Sequence, residues 1–203
     1  EYRNKSVVIS QNPGNSSHEA INKLLCGSLC GYMHSKLVKR ELYYKNKIEF
    51  EPNINLWEDI LISIKLFYFA NKISYINKPM YHYIQYNDTS MVNSFNKSKV
   101  NDLISAISKI EQFFIQNNCL TEYELSFNSL KNIAKSLIIT NTKLGNRKQY
   151  YSLYKSSAKY ILKSSNIPMH NRLTTFFYSY HLSIFGHFCM CIIYIFRQLK
   201  NGK

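Results

Sequence analysis

Past Glu124 the sequence contains no acidic residue, although Lys and Arg continue as far as Lys203. The net charge of +14 is therefore unevenly spread, and a cationic surface of this kind attracts phosphate polyanions, either nucleic acid or the anionic face of a membrane. A solvated basic helix in a Lys-rich, Asn-rich sequence accounts for the same charge. No recognised nucleic-acid-binding motif is present, which weighs against that partner. The cysteines also lack any organising pattern. Cys26, Cys30, Cys119, Cys189 and Cys191 are odd in number, include no Cys-x-x-Cys pair, and have none of the His spacing of a zinc site. They read as reduced, structural thiols in a cytoplasmic protein, with Cys26 and Cys30 close enough to share a helix face. No stretch has the basic, apolar, small-residue order of a signal peptide, and the chain starts at Glu1, so it is expected to be an excised segment. Internal repeats and low-complexity tracts are missing too.

What is present is core material. Hydrophobic residues make up 45% of the chain and charged ones 19%, which is a globular balance. The length of 203 residues fits one domain, or a small half-domain with a helical extension. Ser6 to Ser10 is β-branched enough for a short strand, ended by the turn Asn12-Pro13-Gly14-Asn15. Ser16 and Glu19 fit a capping box, with Ala20, Ile21, Leu24 and Leu25 on one helical face before Gly27. Leu37, Val38 and Leu42 predict a second short helix. Asn55 and Glu58 resemble another capping box, and Ile60, Leu61, Ile64, Phe67 and Tyr68 form the apolar face behind it, which puts Trp57, Glu58 and Asp59 in the first turn. Ile73 to Ile76 and Met80 to Ile84 read as strands on either side of Asn77-Lys78-Pro79.

From Lys99 the period is helical. Leu103, Ile107, Ile110 and Phe114 make one stripe; Phe127, Leu130, Ala134, Leu137 and Ile138 make another; Tyr150, Leu153, Tyr154 and Ile161 suggest a third helix, which Pro168 separates from a terminal segment. Within that segment Phe176 to Phe196 is apolar, aromatic and about the length of a membrane span. Ser179, His181, Ser183, Gly186 and His187 interrupt it, which favours an interfacial or a buried helix over a spanning one.

Glu58 and Asp59 are adjacent acids at a helix N-terminus, where unpaired N–H groups and the helix dipole favour the ionised carboxylate. Both can simply complement the dipole. If Asp59 faces a cleft, it can also take the proton from an attacking hydroxyl, the chemistry of an inverting sugar transfer.

Lys36-Leu37-Val38-Lys39-Arg40-Glu41-Leu42, Ile48-Glu49-Phe50, Trp57-Glu58-Asp59-Ile60, Ala70-Asn71-Lys72-Ile73 and Tyr81-His82-Tyr83, taken in that order and spacing, resemble bacterial family 2 glycosyltransferases. The resemblance covers Ser6 to Ser94. It implies an α/β fold: the C-terminal half of a GT-A, Rossmann-like domain over residues 1–95. The helical period beyond it predicts a mainly α-helical basic extension over residues 96–203, which the resemblance does not cover. The resemblance implies Asp59 as catalytic base with Glu58 beside it. Trp57 is expected at the substrate site; Lys36 and Arg40 either reach phosphate or acceptor groups or are solvated basic residues of a short helix, and His82 either sits near the leaving diphosphate or a metal or is a packed strand residue. Where the family often has Trp-Asn before its first Lys-Leu, this chain has His34-Ser35.

No Asp-x-Asp follows a strand. The ligands for the family's divalent cation, Mn or Mg, and for the donor diphosphate are thus expected upstream of Glu1, with no metal site in the segment itself and no activity from the segment alone. The implied partners are a nucleotide-sugar donor and a glycan or lipid-linked acceptor of cell-surface polysaccharide synthesis, on the inner, anionic face of the cell membrane. The competing reading is a non-catalytic basic helical module that binds nucleic acid or an anionic membrane.

Overall fold

A computed structural model describes residues 8–9, 11–81 and 95–201. Among the described residues seven α-helices follow one another: α1 (Ser17–Leu25), α2 (Arg40–Lys45), α3 (Glu58–Phe69), α4 (Lys97–Gln116), α5 (Glu124–Asn141), α6 (Met169–Ser179) and α7 (Ser183–Asn201). Short 3-10 turns lie at Met33–Ser35, Leu144–Tyr150 and Lys155–Lys163. Among the described residues there is no strand and no sheet. The expected α/β, Rossmann-like half-domain is therefore corrected to a helical fold.

The physical reason is visible at Ile73–Ile76. The alternation is there, with Ile73 and Tyr75 more sheltered than their neighbours, but no described segment lies alongside to take up the backbone hydrogen bonds that define a strand. Val8, Ile9, Met80 and Tyr81 are likewise irregular and exposed, and the rest of the two other expected strands lies outside the described residues.

The first helix forms as its sequence dictates. Ser16 caps it by accepting from Glu19 N at 3.1 Å, and the Glu19 carboxylate accepts from Asn15 N at 3.0 Å, one residue further out than the expected box. At the other end Gly27, at φ +76°, lets its own N–H reach Leu24 O and that of Ser28 reach Lys23 O, the paired bonds of a Schellman stop. Replacing the cap by Ser16→Ala is expected to cost about 1 kcal/mol, read as a lower midpoint in urea unfolding.

α1, α3, α4 and α5 share one core. Ile21, Leu24 and Leu25 from α1 meet Leu61 and Ile64 from α3, and these pack on Ile107, Ile110 and Phe114 of α4 and Phe127, Leu130 and Ala134 of α5. The stripes read from the 3.6-residue period are thus the buried faces, apart from Leu137, which is exposed. The second short helix is displaced: Leu37 lies on an extended segment with its side chain in solvent, while Val38 and Leu42 pack against Ile62 and Leu66. The third expected helix is two 3-10 turns instead, broken at Tyr154, whose φ is +49°.

Lys135 is fully buried in α5 and donates to Tyr151 O at 2.7 Å, with no acidic partner among its contacts. Burial pulls its pKa down to about 8 from an ordinary 10.5. Between those values the folded chain has released a proton that the unfolded chain still holds, so raising the pH favours folding there; below about 8 the buried ammonium costs its full penalty. Lys135→Met removes this dependence. Its stability relative to the parent should be most favourable below pH 8 and decline steadily toward pH 10.5, as followed by urea unfolding across that range.

Candidate functional site

The acidic end of α3 is positioned by three unrelated stretches of chain. Trp57 is the N-cap residue and takes the left-handed conformation, φ +71°, which costs a non-glycine residue about 1–2 kcal/mol. Its half-buried indole offsets that by packing between two apolar clusters, one built on α1, α3, α4 and α5 and the other on Val100, Leu103 and Ile138. Asn55 does not cap the helix. Its N–H donates instead to the buried Asp102 carboxylate of α4 at 3.4 Å, which braces the loop that leads into α3.

On the other side Gly31 lies directly against the first turn of α3. A Cβ there would sit 2.7 Å from Ile60 Cγ1 and 2.9 Å from Ile60 N, and Ser63 Oγ donates to Gly31 O at 2.8 Å. This close seating brings Met33 N to Asp59, where it donates to Oδ2 at 3.3 Å. Among the described residues that is the hydrogen bond Asp59 accepts, and Oδ1 takes none.

Lys36 completes this arrangement. Its ammonium donates to Cys30 O at 3.0 Å and to Tyr32 O at 2.8 Å, closing the turn that carries Met33. Burial lowers its pKa to about 8, and the nearby Asp59 carboxylate opposes that drop. Glu58 is pushed above its ordinary range, chiefly by burial and further by the charges of Asp59 and Asp102. Tyr43 of α2 is pushed up by burial and, further, by the charge of Asp59.

Of the residues expected to form a site, Asp59, Glu58 and Lys36 are thus gathered together, with Trp57 holding the helix end rather than lying open. Arg40 turns along α2 and donates through Nε and Nη2 to Tyr44 Oη at 3.2 and 3.0 Å. His82 lies outside the described residues. Tyr43, Asp102, Gly31 and the Met33 amide were not singled out by sequence. Nor was an aromatic stack in the neighbouring turn: the His34 ring stacks with those of Tyr32 and Tyr81, with centroids 5.1 and 4.2 Å away.

Among the described residues no three His, Cys, Asp or Glu side chains gather closely enough to hold a metal ion. The described residues by themselves thus form no site for the divalent cation that the family resemblance implies, whose ligands are expected upstream of Glu1. No described helix is long and apolar enough to cross a membrane.

No family model matches the chain, and no solved structure does. One similarity to a curated protein stands out. The chain is 24% identical over 123 residues to the Bacillus subtilis (strain 168) protein named "Putative glycosyltransferase EpsH", over 60% of this chain and 36% of that protein. The match thus spans little more than a third of the length of that relative. The similarity points to glycosyltransferases at this coarse level.

Proposed function

We propose that the chain is the acceptor-side part of a family 2 glycosyltransferase, with Asp59 as the base that activates the acceptor. The observation that carries this reading is the placement of Asp59. It stands at a helix N-terminus, is held by a single hydrogen bond from Met33 N, and has its second carboxylate oxygen unengaged among the described residues. Similarity to a protein named as a glycosyltransferase supports it.

In the proposed step Asp59 Oδ1 takes the proton of an acceptor hydroxyl as that oxygen bonds to the anomeric carbon of a nucleotide sugar. The anomeric carbon–oxygen bond to the diphosphate breaks, and the electron pair leaves with the nucleoside diphosphate. Glu58, raised by burial, stays partly protonated at higher pH than an exposed glutamate and so adds less negative charge beside the base. Lys36 serves as a positioning residue, because its ammonium is engaged by the two carbonyls of its own turn. The exposed rings of Tyr32 and Tyr81 offer apolar faces suited to the C–H faces of a sugar, and the exposed Arg40 can serve an anionic group on a glycan or lipid-linked acceptor if it leaves Tyr44.

The donor diphosphate and its divalent cation are assigned to residues outside this chain. The test is transfer by the full-length protein, supplied with a panel of nucleotide sugars, Mn²⁺ and lipid-linked or glycan acceptors. Acceptor-dependent release of nucleoside diphosphate is expected. Its absence across the panel would remove the reading.

A further inference from the structure

Helix α7 is apolar on two opposite sides, and one of them is covered. Toward α6, the ring of Tyr178 lies over Gly186, where a Cβ would be 3.0 Å from it; the His187 ring is 5.5 Å from that of Tyr178, and Met190 packs with Tyr178 and Tyr151. Away from α6, Ile184, Phe188, Ile192 and Ile195 are exposed, Ile184 by 81% and Phe188 by 65%; Phe185, at the edge of this face, is exposed as well but stacks on Phe177 of α6 with ring centroids 5.5 Å apart. At about 100° of rotation per residue these five fall in one arc about 100° wide, opposite Gly186 and Met190. From Ser183 to Phe196 the sequence has no Lys, Arg, Asp or Glu to hydrate that arc.

We propose that this arc is a membrane-interface surface, lying in the headgroup region of an anionic bilayer with α6 on its protein side. The inference stands apart from the catalytic reading. It rests on the arc together with its electrostatic setting: after Glu124 the chain carries no acid and twelve Lys and Arg, of which Lys135 and Arg147 are buried and Lys131 is paired with Glu111 of α4. Part of that charge is next to the start of the arc. Exposed Lys148 and Lys155 flank Tyr151 and Ser152 in sequence, and these two meet His181 at the α6–α7 turn, the Tyr151 ring 5.7 Å from the imidazole and Ser152 Oγ 3.5 Å from Nε2.

Anionic headgroups neutralise such a region while the lipid boundary takes up the aromatic and aliphatic side chains. A second copy of the chain fits less well, because pairing two arcs about a two-fold axis would bring two cationic regions together. Spanning fits less well, since no described helix is long and apolar enough to cross a membrane.

The experiment is co-sedimentation of the full chain with vesicles of phosphatidylcholine alone or with about one quarter phosphatidylglycerol, at low and high salt. Three proteins are compared: the parent, Ile184→Ser with Phe188→Ser, and Lys148→Gln with Lys155→Gln. Binding of the parent should favour the anionic vesicles by about tenfold or more and weaken with salt, and each double variant should lose several-fold, the apolar one the most. Circular dichroism and melting should be unchanged in the apolar variant, since both side chains are exposed. Equal vesicle binding by parent and apolar variant would overturn the proposal. So would indifference to lipid charge, or a parent dimer that the apolar variant dissociates without any vesicle binding.

Discussion

Asp59→Asn in the full-length protein is expected to lower sugar transfer about a hundredfold or more, because a positioned general base typically contributes at least that much. The substitution keeps the shape of the side chain and its ability to accept from Met33 N, so α3 should stay seated and the fold should be unchanged. Donor binding should also persist, since the donor site is assigned elsewhere. The decisive measurement is turnover under saturating donor and acceptor, beside a donor dissociation constant for both proteins. Turnover within about threefold of the parent would show that another group takes the proton. Loss of donor binding along with turnover would point instead to a structural role for the carboxylate.

Gly31→Ala should damage both the stability and the site. The added methyl would lie 2.7 Å from Ile60 Cγ1 and within 3.0 Å of backbone atoms in the first turn of α3, so the two segments must part. Overpacking of this kind costs about 1–3 kcal/mol, and the buried bond from Ser63 Oγ to Gly31 O is strained at the same time. In a chain of this size each kcal/mol lowers the melting temperature by about 2–4 °C. Because the shift acts where Met33 reaches Asp59, transfer activity should fall even at temperatures where the variant is fully folded. A variant that melts with the parent and keeps its activity would mean that this contact does not seat the helix.

The parts of the fold that could be read from sequence are those governed by neighbours three and four residues apart. The Ser16 cap, the stripe from Leu103 to Phe114 and the placement of Glu58 and Asp59 in a first turn all depend on such local relations, and the helices there follow them. A strand is a different kind of object, since it exists only through a partner. The alternation at Ile73–Ile76 carried no information about whether one was present. The terminal apolar segment also misled locally. It reads as one rod, yet it folds back at Tyr180–Leu182 through His181 at φ +61°, with neither Gly nor Pro to mark the bend.

The site shows the same division. The first-turn placement of Asp59 was legible, but what orients its carboxylate was not: Met33 lies 26 residues away, and the Asp102 carboxylate that braces the approach to α3 lies 47 residues from Asn55. Arg40 was legible as a charge on a short helix. Its capture by Tyr44, four residues on, is a helix-surface pairing that the residue types alone left open.

Trp57 is the only tryptophan in the chain, and it directly precedes the two acids. Its indole is wedged between two apolar clusters, so its emission depends on how α3 is seated and on the carboxylates beside it. The chain therefore contains a built-in optical reporter at the end of the helix where the chemistry is proposed. Occupancy of that end by an acceptor and loosening of the helix against Gly31 would both register in a single wavelength shift, with no label added.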